Sequence, residues 1–329
     1  MYLFRPFELK DKEQVIELLH VLWVFSSEEE YERHFDWKYL QVNFNFPHAF
    51  VAVDKQTNKV IGFRGFFIQE YFINNNTYKA AVISDACVNP NYRRKGILSK
   101  MTMFSFKYLK EQNAIDFYLV LSNPGIASTA AYIKLDFQPI NTKSELYKIL
   151  LKSKASNKYE YQVSNVLSIN QLMLKNNSNI KINNTEEYLK WRYRNPSTKY
   201  EYIYVYEKGE IVAFMSYYYI SGNRIYILDY NYSNFSAFKE AFKYLKANKK
   251  IKYAQVWSIS CSKHEKKKLK KIGFFSLTFI RTKIFKRTNQ PALIRPANIK
   301  ITENDFFIEN VDIRKPENWD LNLINSDGV

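Results

Sequence analysis

The chain has 329 residues, 46% of them apolar and 17% aromatic, which is enough to bury two cores of domain size and excludes a disordered protein. The formal net charge of +17 favours an anionic ligand, while two cysteines, Cys87 and Cys261, exclude a disulfide framework. The four histidines have no metal-ligand spacing, no apolar run reaches the ~18 residues that would span a bilayer, and the N-terminal segment lacks the uninterrupted apolar centre of a signal peptide. We therefore expect a cytoplasmic protein with no metal and no membrane insertion.

Helices and strands alternate along the first part of the chain. Residues 11–25 place Val15, Leu18, Leu19 and Leu22 on one helical stripe, and residues 98–109 repeat that period. The apolar segments 50–53, 60–67, 80–88 and 117–122 have the length and composition of strands. This alternation predicts an α/β layered domain.

The order of elements recurs in the second part of the chain. Matching segments occur in the same order: "WKY" and "WRY" at 37–39 and 191–193, "VISDA" and "YILDY" at 82–86 and 226–230, "FKYLK" at 106–110 and 242–246, and "YIKLDF" and "LKKIGF" at 132–137 and 269–274. The repeat predicts one domain at 1–152 and a second at 185–290, with an Asn- and Ser-rich linker at 153–184 and a tail at 291–329. We interpret the repeated tryptophans and tyrosines as shared core, with the lining of a sugar site as the alternative.

A basic loop, "NYRRKG" at 91–96, distinguishes the two copies. Asp85 and Asp229 are 144 residues apart, but the two "FKYLK" segments are only 136 apart, so the second copy lacks eight residues there. A strand that runs into a helix leaves helical N–H groups unpaired, and these bind anions. Gly96 allows close backbone approach and Arg93, Arg94 and Lys95 add positive charge, so we predict a pyrophosphate site.

This loop, with the later segment "LSNPGIASTAAYIKLDF", resembles the acetyl-CoA signature of the GNAT superfamily of N-acetyltransferases. The family's loop has Arg or Gln, two residues, Gly, one residue, and then Gly or Ala; Arg93, Gly96 and Leu98 take these places, and Leu98 departs from the pattern. The resemblance covers residues 1–150 well and 185–285 only by the order of elements. It implies two GNAT-like domains, each a mixed, mostly antiparallel sheet flanked by helices, with a cofactor site lost from the second.

The resemblance also implies roles for individual residues. Backbone N–H groups of Cys87 or Val88 would contact the thioester carbonyl, and Tyr132 would protonate the departing thiolate, where the second copy has Leu269. Asn123 would contact the pantetheine arm, although "SNPG" is also an ordinary turn. The predicted cofactor-binding residues are Cys87, Val88, Arg93, Arg94, Lys95, Gly96, Ile97, Leu98 and Asn123.

The general base is a separate question, because an alkyl ammonium has a pKa of about 10.4 and must lose a proton before it attacks. Asp85 is the candidate, and strand alternation places it on one face with Ile83 and Cys87. Asp229, in the copy without the basic loop, favours a shared structural role instead.

The sequence thus predicts an acetyl-CoA-dependent N-acetyltransferase that acts on a small-molecule primary amine, for example an amino sugar or a precursor of a bacterial surface polysaccharide. One alternative is a Fem-type aminoacyl transferase that uses charged tRNA, which the basic loop and Tyr132 disfavour. The other is a non-catalytic nucleic-acid-binding protein that uses the +17 charge. The lysine-rich segment 263–271 is typical of a solvated helix face.

Overall fold

The computed structural model describes residues 1–40, 48–121, 126–142, 145–168, 178–257, 263–277 and 291–321. Residue contacts divide the chain into two compact units. The first unit consists of Met1–Ile140, Arg194–Ser197 and Ala292–Arg314, and the second of Asn141–Tyr193, Thr198–Pro291 and Lys315–Val329.

The helices are α1 (Lys12–Leu19), α2 (Glu28–Phe35), α3 (Ile97–Glu111), α4 (Ile126–Ile133), α5 (Glu186–Arg192), α6 (Phe235–Asn248) and α7 (Lys263–Lys271). The strands are β1 (Tyr2–Pro6), β2 (Ala49–Asp54), β3 (Lys59–Ile73), β4 (Asn76–Val88), β5 (Phe117–Val120), β6 (Gln138–Thr142), β7 (Glu145–Ile149), β8 (Glu160–Ser164), β9 (Ile180–Ile182), β10 (Tyr200–Glu207), β11 (Glu210–Ser221), β12 (Arg224–Tyr232), β13 (Tyr253–Trp257), β14 (Phe275–Ser276), β15 (Pro291–Pro296), β16 (Phe307–Ile308), β17 (Val311–Asp312) and β18 (Trp319–Asp320). A short π-helical segment, Asp36–Leu40, continues α2.

Each unit is built on a sheet with the same pattern of strands. In the first unit the order is β1-β2-β3-β4-β5-β15-β6, and in the second it is β8-β10-β11-β12-β13-β7-β14. In both sheets the first four strands are antiparallel to their neighbours. The fourth strand then pairs in parallel with the fifth, β4 with β5 or β12 with β13, and the sixth strand is antiparallel to the fifth. The predicted α/β class with mixed, mostly antiparallel sheets is confirmed.

The sixth strand of each sheet comes from the other half of the sequence. β15, in the predicted tail, pairs with β5, while β7, at the end of the predicted first domain, pairs with β13. The predicted linker also contains β8, which pairs with β10. The two compact units therefore have different boundaries from the predicted domains. The reason is that the hydrophobic period of a segment identifies a strand but not the strand with which it pairs.

The first sheet lies between two apolar layers. On one face, Phe50, Phe66 and Ile83 pack with Met101 of α3; on the other, Phe63 and Cys87 pack with residues of α1 and α2. Of the repeated aromatic residues, Trp37 and Tyr39 are buried, as predicted, whereas Trp191 and Tyr193 are half-buried against a core cluster of the second unit. The helix predicted over 11–25 is wrong in its second half, because α1 ends at Leu19 and Leu22 is 44% exposed.

A β-bulge interrupts the pairing of β3 with β4. Arg64 is opposite Ala86 and Phe66 is opposite Ile83, so that Ser84 and Asp85 together face Gly65. An extra residue in one strand reverses the alternation of its side chains. The prediction that Ile83 and Cys87 share a face is therefore wrong, since they pack in opposite layers. β11 and β12 have a register shift at the matching place, between Ser216 and Tyr217.

Candidate active site

The basic loop joins the end of β4 to the beginning of α3 through a turn in the left-handed region. Arg94 has a φ of 63° and Gly96, the N-cap of α3, has a φ of 71°, a conformation that favours glycine. Gly96 has no side chain that could cap the helix, so the first N–H groups of α3 are available to an anion.

The corresponding helix of the second unit is capped by its own side chain. Asn234 precedes α6, and its side-chain oxygen accepts hydrogen bonds from the backbone N–H groups of Ser236 (2.9 Å) and Ala237 (3.3 Å). These bonds occupy the donors that Gly96 leaves open in the first unit. The eight-residue difference between the copies thus replaces a capped helix end with an open one.

One cavity of about 390 Å³ brings most of the predicted cofactor residues together. It is lined by Val21, Leu22, Ala86, Cys87, Val88, Tyr92, Arg93, Arg94, Gly96, Ile97, Leu98 and Ser99. The Lys95 ammonium lies outside this lining, 5.0 Å from the centre of the Tyr92 ring. Asn123 lies outside the described residues. The sequence did not predict that Val21 and Leu22 line the cavity. The only signal was that both are apolar and follow the end of α1.

Hydrogen bonds hold the base of the loop. The Tyr92 hydroxyl donates to Asp54 over 2.9 Å, and Arg93 Nε donates to the Val88 carbonyl over 3.3 Å. The Asn89 side chain accepts from the Asn91 N–H over 3.0 Å. These contacts orient the loop relative to β4.

The edge of β4 beside the loop diverges from its parallel neighbour. Within the described residues, β4 pairs with β5 only from Ala80 to Val82, opposite Phe117 to Leu119, although β4 continues to Val88. The strand segment after the bulge, including Cys87 and Val88, therefore borders the cavity instead of β5.

Asp85 forms a buried ion pair. Its carboxylate lies 2.8 Å from Lys38 Nζ, accepts the Tyr39 hydroxyl over 2.7 Å and accepts Trp23 Nε1 over 3.2 Å. Burial opposes ionisation of Asp85, but the Lys38 ammonium and these hydrogen bonds outweigh it and hold the pKa of the carboxyl below its ordinary value. A carboxylate engaged in this way is a weak base, so the geometry favours an anchoring role and catalysis by Asp85 stays a prediction.

Cys87 is a thiol at neutral pH. Burial, together with the nearby Asp85 carboxylate, raises the pKa of the Cys87 thiol to about 12. The side chain packs among apolar residues of the α1 layer. A backbone role, as predicted, fits this residue better than a nucleophilic one.

Tyr132 lies near the C-terminal end of α4 and is buried, with 8% of its surface exposed. Its hydroxyl oxygen accepts a hydrogen bond from Arg64 Nη1 over 2.9 Å. Sequence reasoning missed Arg64, although a single arginine inside the apolar strand "VIGFRGFF" was an available signal.

A comparison with protein families assigns the segment that contains these residues. The model of the acetyltransferase (GNAT) domain matches residues 4–139. The chain therefore carries a GNAT acetyltransferase domain. All predicted site residues fall within this matched segment. No curated protein matches the chain.

Solved structures confirm the GNAT fold over most of the chain. A probable N-acyltransferase of unknown function from Enterococcus faecalis has 11% identity and a TM-score of 0.70, with 93% of this chain and 74% of that chain covered. A GCN5-related N-acetyltransferase from Anabaena variabilis has 12% identity and a TM-score of 0.66, with coverage of 91% and 74%. A tandem GNAT protein from the clavulanic acid biosynthesis pathway has 11% identity and a TM-score of 0.53, with coverage of 91% and 99%.

No group of three or more His, Cys, Asp or Glu side chains in the described residues is arranged to hold a metal ion. Among the helices described, none combines the length and the apolar character needed to cross a membrane.

Proposed function

We propose that the first unit binds acetyl-CoA and transfers its acetyl group directly to a primary amine of a small molecule, such as an amino sugar or a precursor of a surface polysaccharide. The observation that carries the proposal is the single cavity at the uncapped end of α3, which gathers seven of the predicted cofactor residues in a GNAT domain.

Each part of the cavity has a chemical task. The α3 N–H groups, Arg93 and Arg94 would bind the pyrophosphate, because helix N-termini and guanidinium groups both stabilise phosphate charge. The β4 edge at Cys87 and Val88 would donate N–H groups to the thioester carbonyl, where negative charge develops during attack. Tyr132, which packs in the α3 layer and is not among the residues that line the cavity, would supply the proton for the leaving sulfur.

The second unit, by contrast, is proposed to bind no acyl-CoA. Its helix α6 begins directly after β12 and is capped by Asn234, and it has Leu269 where the first unit has Tyr132. We infer that it contributes to acceptor binding or to stability instead.

Calorimetric titration of acetyl-CoA at physiological salt tests the proposal. We expect micromolar binding by the wild type and its loss in the double variant Arg94→Glu, Gly96→Glu, which places two carboxylates at the phosphate site. The matched control is Lys208→Glu, Gly209→Glu: it makes the same charge change at two residues with φ of 55° and 82° in the second unit, and it should bind as the wild type does.

Two results would contradict the proposal. Binding that survives in the folded Arg94→Glu, Gly96→Glu variant would place acetyl-CoA elsewhere in the protein. Absence of binding by the folded wild type would rule out the acetyl-CoA site, and charged tRNA would then be the next ligand to titrate. After a positive result, a panel of amino sugars and polyamines is screened for acetylation.

A further inference from the structure

Arg64 of β3 carries a buried guanidinium whose contacts lead to the predicted proton donor. The residue is 2% exposed. Its Nη1 donates to the Tyr132 hydroxyl over 2.9 Å, while Nε and Nη2 donate to Thr102 Oγ1 over 3.2 and 3.0 Å. The guanidinium carbon lies 5.7 Å from the centre of the Tyr132 ring.

The partners of this buried cation are neutral. In the part of the chain that the structure describes, Arg64 has hydroxyl partners on α3 and α4 and no ion pair with a carboxylate. A buried charge is costly unless an opposite charge compensates it. An anion that forms beside Tyr132 during a reaction would provide that compensation.

The second unit has lost all three polar residues together. By the repeat, Arg64 corresponds to Met215, Thr102 to Phe238 and Tyr132 to Leu269. These three apolar residues are buried in one core cluster. The second unit thus fills these positions with packed apolar side chains, so packing alone does not account for the polar set in the first unit.

The direction of the hydrogen bond leaves the phenol proton available. Because the Tyr132 oxygen accepts from Arg64, this bond does not use the hydroxyl proton. Arg64 also lies close enough to Cys87, on the neighbouring strand β4, to oppose the rise in the pKa of that thiol. Arg64 is also opposite Ala86 in the pairing of β3 with β4, and Ala86 lines the cavity, so the cation is next to the strand segment that borders the cavity.

We propose that Arg64 is a positioning residue that orients the Tyr132 hydroxyl toward the leaving sulfur of the acyl-CoA. Its positive charge stabilises the negative charge that forms on the sulfur and on the Tyr132 oxygen. This inference depends on the proposed function of the first unit. Thr102 holds the guanidinium in place by accepting from two of its nitrogens.

In the transfer, the amine nitrogen forms a bond to the thioester carbonyl carbon, and the carbon–sulfur bond breaks with its electron pair on sulfur. Tyr132 gives its proton to the sulfur, and the resulting phenolate is paired with the Arg64 guanidinium. The amine nitrogen loses a proton to water, and water returns a proton to the phenolate. The products are the amide and the free thiol of coenzyme A.

The test compares coenzyme A with desulfo-coenzyme A, which lacks the sulfur, by calorimetric titration at pH 7 and pH 9. A thiol ionises over this range, since its ordinary pKa is about 8.5. We expect the affinity advantage of coenzyme A over the desulfo compound to rise about tenfold at pH 9 in the wild type. Arg64→Met should abolish this rise, Tyr132→Phe should reduce it, and the double variant should equal Arg64→Met, because both residues act on one sulfur.

Controls separate this effect from a structural one. Arg224→Met removes a guanidinium that lies 5.8 Å from the Tyr147 ring in the second unit, and it should keep the rise. Arg64→Lys preserves the positive charge and should keep part of the rise. If Arg64→Met does not fold, Arg64→Lys and Tyr132→Phe take its place in the comparison. The role of Arg64 is overturned if the affinity advantage of coenzyme A rises equally in folded Arg64→Met, or if the wild type binds both compounds and shows no such rise. Either result leaves the proposed function standing. Failure of the folded wild type to bind either compound overturns the proposed function as well.

Discussion

Single residues of the site illustrate how burial and partners decide what a side chain can do. Asp85 and Tyr132 are both buried polar groups, but Asp85 is engaged by three donors, whereas Tyr132 accepts one hydrogen bond and keeps its own proton to donate. The first arrangement suits an anchor, and the second suits an acid.

Replacing Asp85 tests the anchoring role. Asp85→Asn removes the negative charge that is paired with the buried Lys38 ammonium, so we expect the free energy of unfolding to fall by about 3 kcal/mol, measured by urea denaturation. The Lys38→Met, Asp85→Asn double variant should recover part of that loss. A control, Glu111→Gln, breaks an exposed pair with Lys107 and should cost less than about 1 kcal/mol.

The pH dependence of this contribution follows from its sign. The pKa of Asp85 in the folded protein lies below its unfolded value of about 3.9. Its stabilisation is therefore complete above that unfolded value and is lost as the pH falls through the folded pKa. If Asp85→Asn costs as much at pH 3 as at pH 7, the ion pair is not the source of the effect.

At the scale of elements, the bulge in β4 determines how the site is built. It exchanges the faces of the strand between Ile83 and Cys87, and the strand beyond it leaves β5 and borders the cavity. Gly65, opposite the bulge, gives the Tyr39 ring room to reach Asp85. The second unit has Ser216 in this place, and its hydroxyl bonds to Tyr193 over 2.7 Å.

Gly65 and Gly62 of the same strand form a matched pair for testing this geometry. A Cβ on Gly65 would lie 2.2 Å from Tyr39 Oη, so Gly65→Ala should displace the ring, cost about 2–3 kcal/mol of stability and weaken acetyl-CoA binding. A Cβ on Gly62 would lie 3.3 Å from its nearest neighbour, so Gly62→Ala should cost clearly less. Equal losses in urea denaturation would contradict a specific role for Gly65.

For the whole molecule, each unit is completed by a strand from the other half of the sequence. β15 lies between β5 and β6 in the first sheet, and β7 lies between β13 and β14 in the second. A strand inside a sheet satisfies backbone groups of both its neighbours, so its removal exposes two strand edges.

Fragments test this exchange directly. We expect residues 1–142 alone to be insoluble or unfolded, and the same residues joined through a flexible linker to 291–314 to give a cooperative thermal transition, because that segment restores β15. As a control, the same linker is followed by residues 224–247 of the second unit, a segment of equal length. Cooperative unfolding of 1–142 on its own would show that β15 is dispensable.

Much of this architecture could be read from the sequence. The repeat predicted two α/β sheets, and the residues of the basic loop predicted an anion site at the start of a helix. Both depend on neighbouring residues in the chain, through hydrophobic period, glycine conformation and charge. The residues missed, such as Leu22 and Arg64, act through neighbours that are distant in sequence.

Local patterns therefore account for the kinds of element, their order and the place of the basic loop, because each depends on a few consecutive residues. The tertiary structure was needed for the rest: the strand exchange, the bulge that turns Cys87 to the other face, the Lys38 partner of Asp85 and the Arg64 partner of Tyr132. These features arise from pairing and burial between segments that are far apart in the chain. The energies that select such partners are properties of the packed core and leave no period in the sequence.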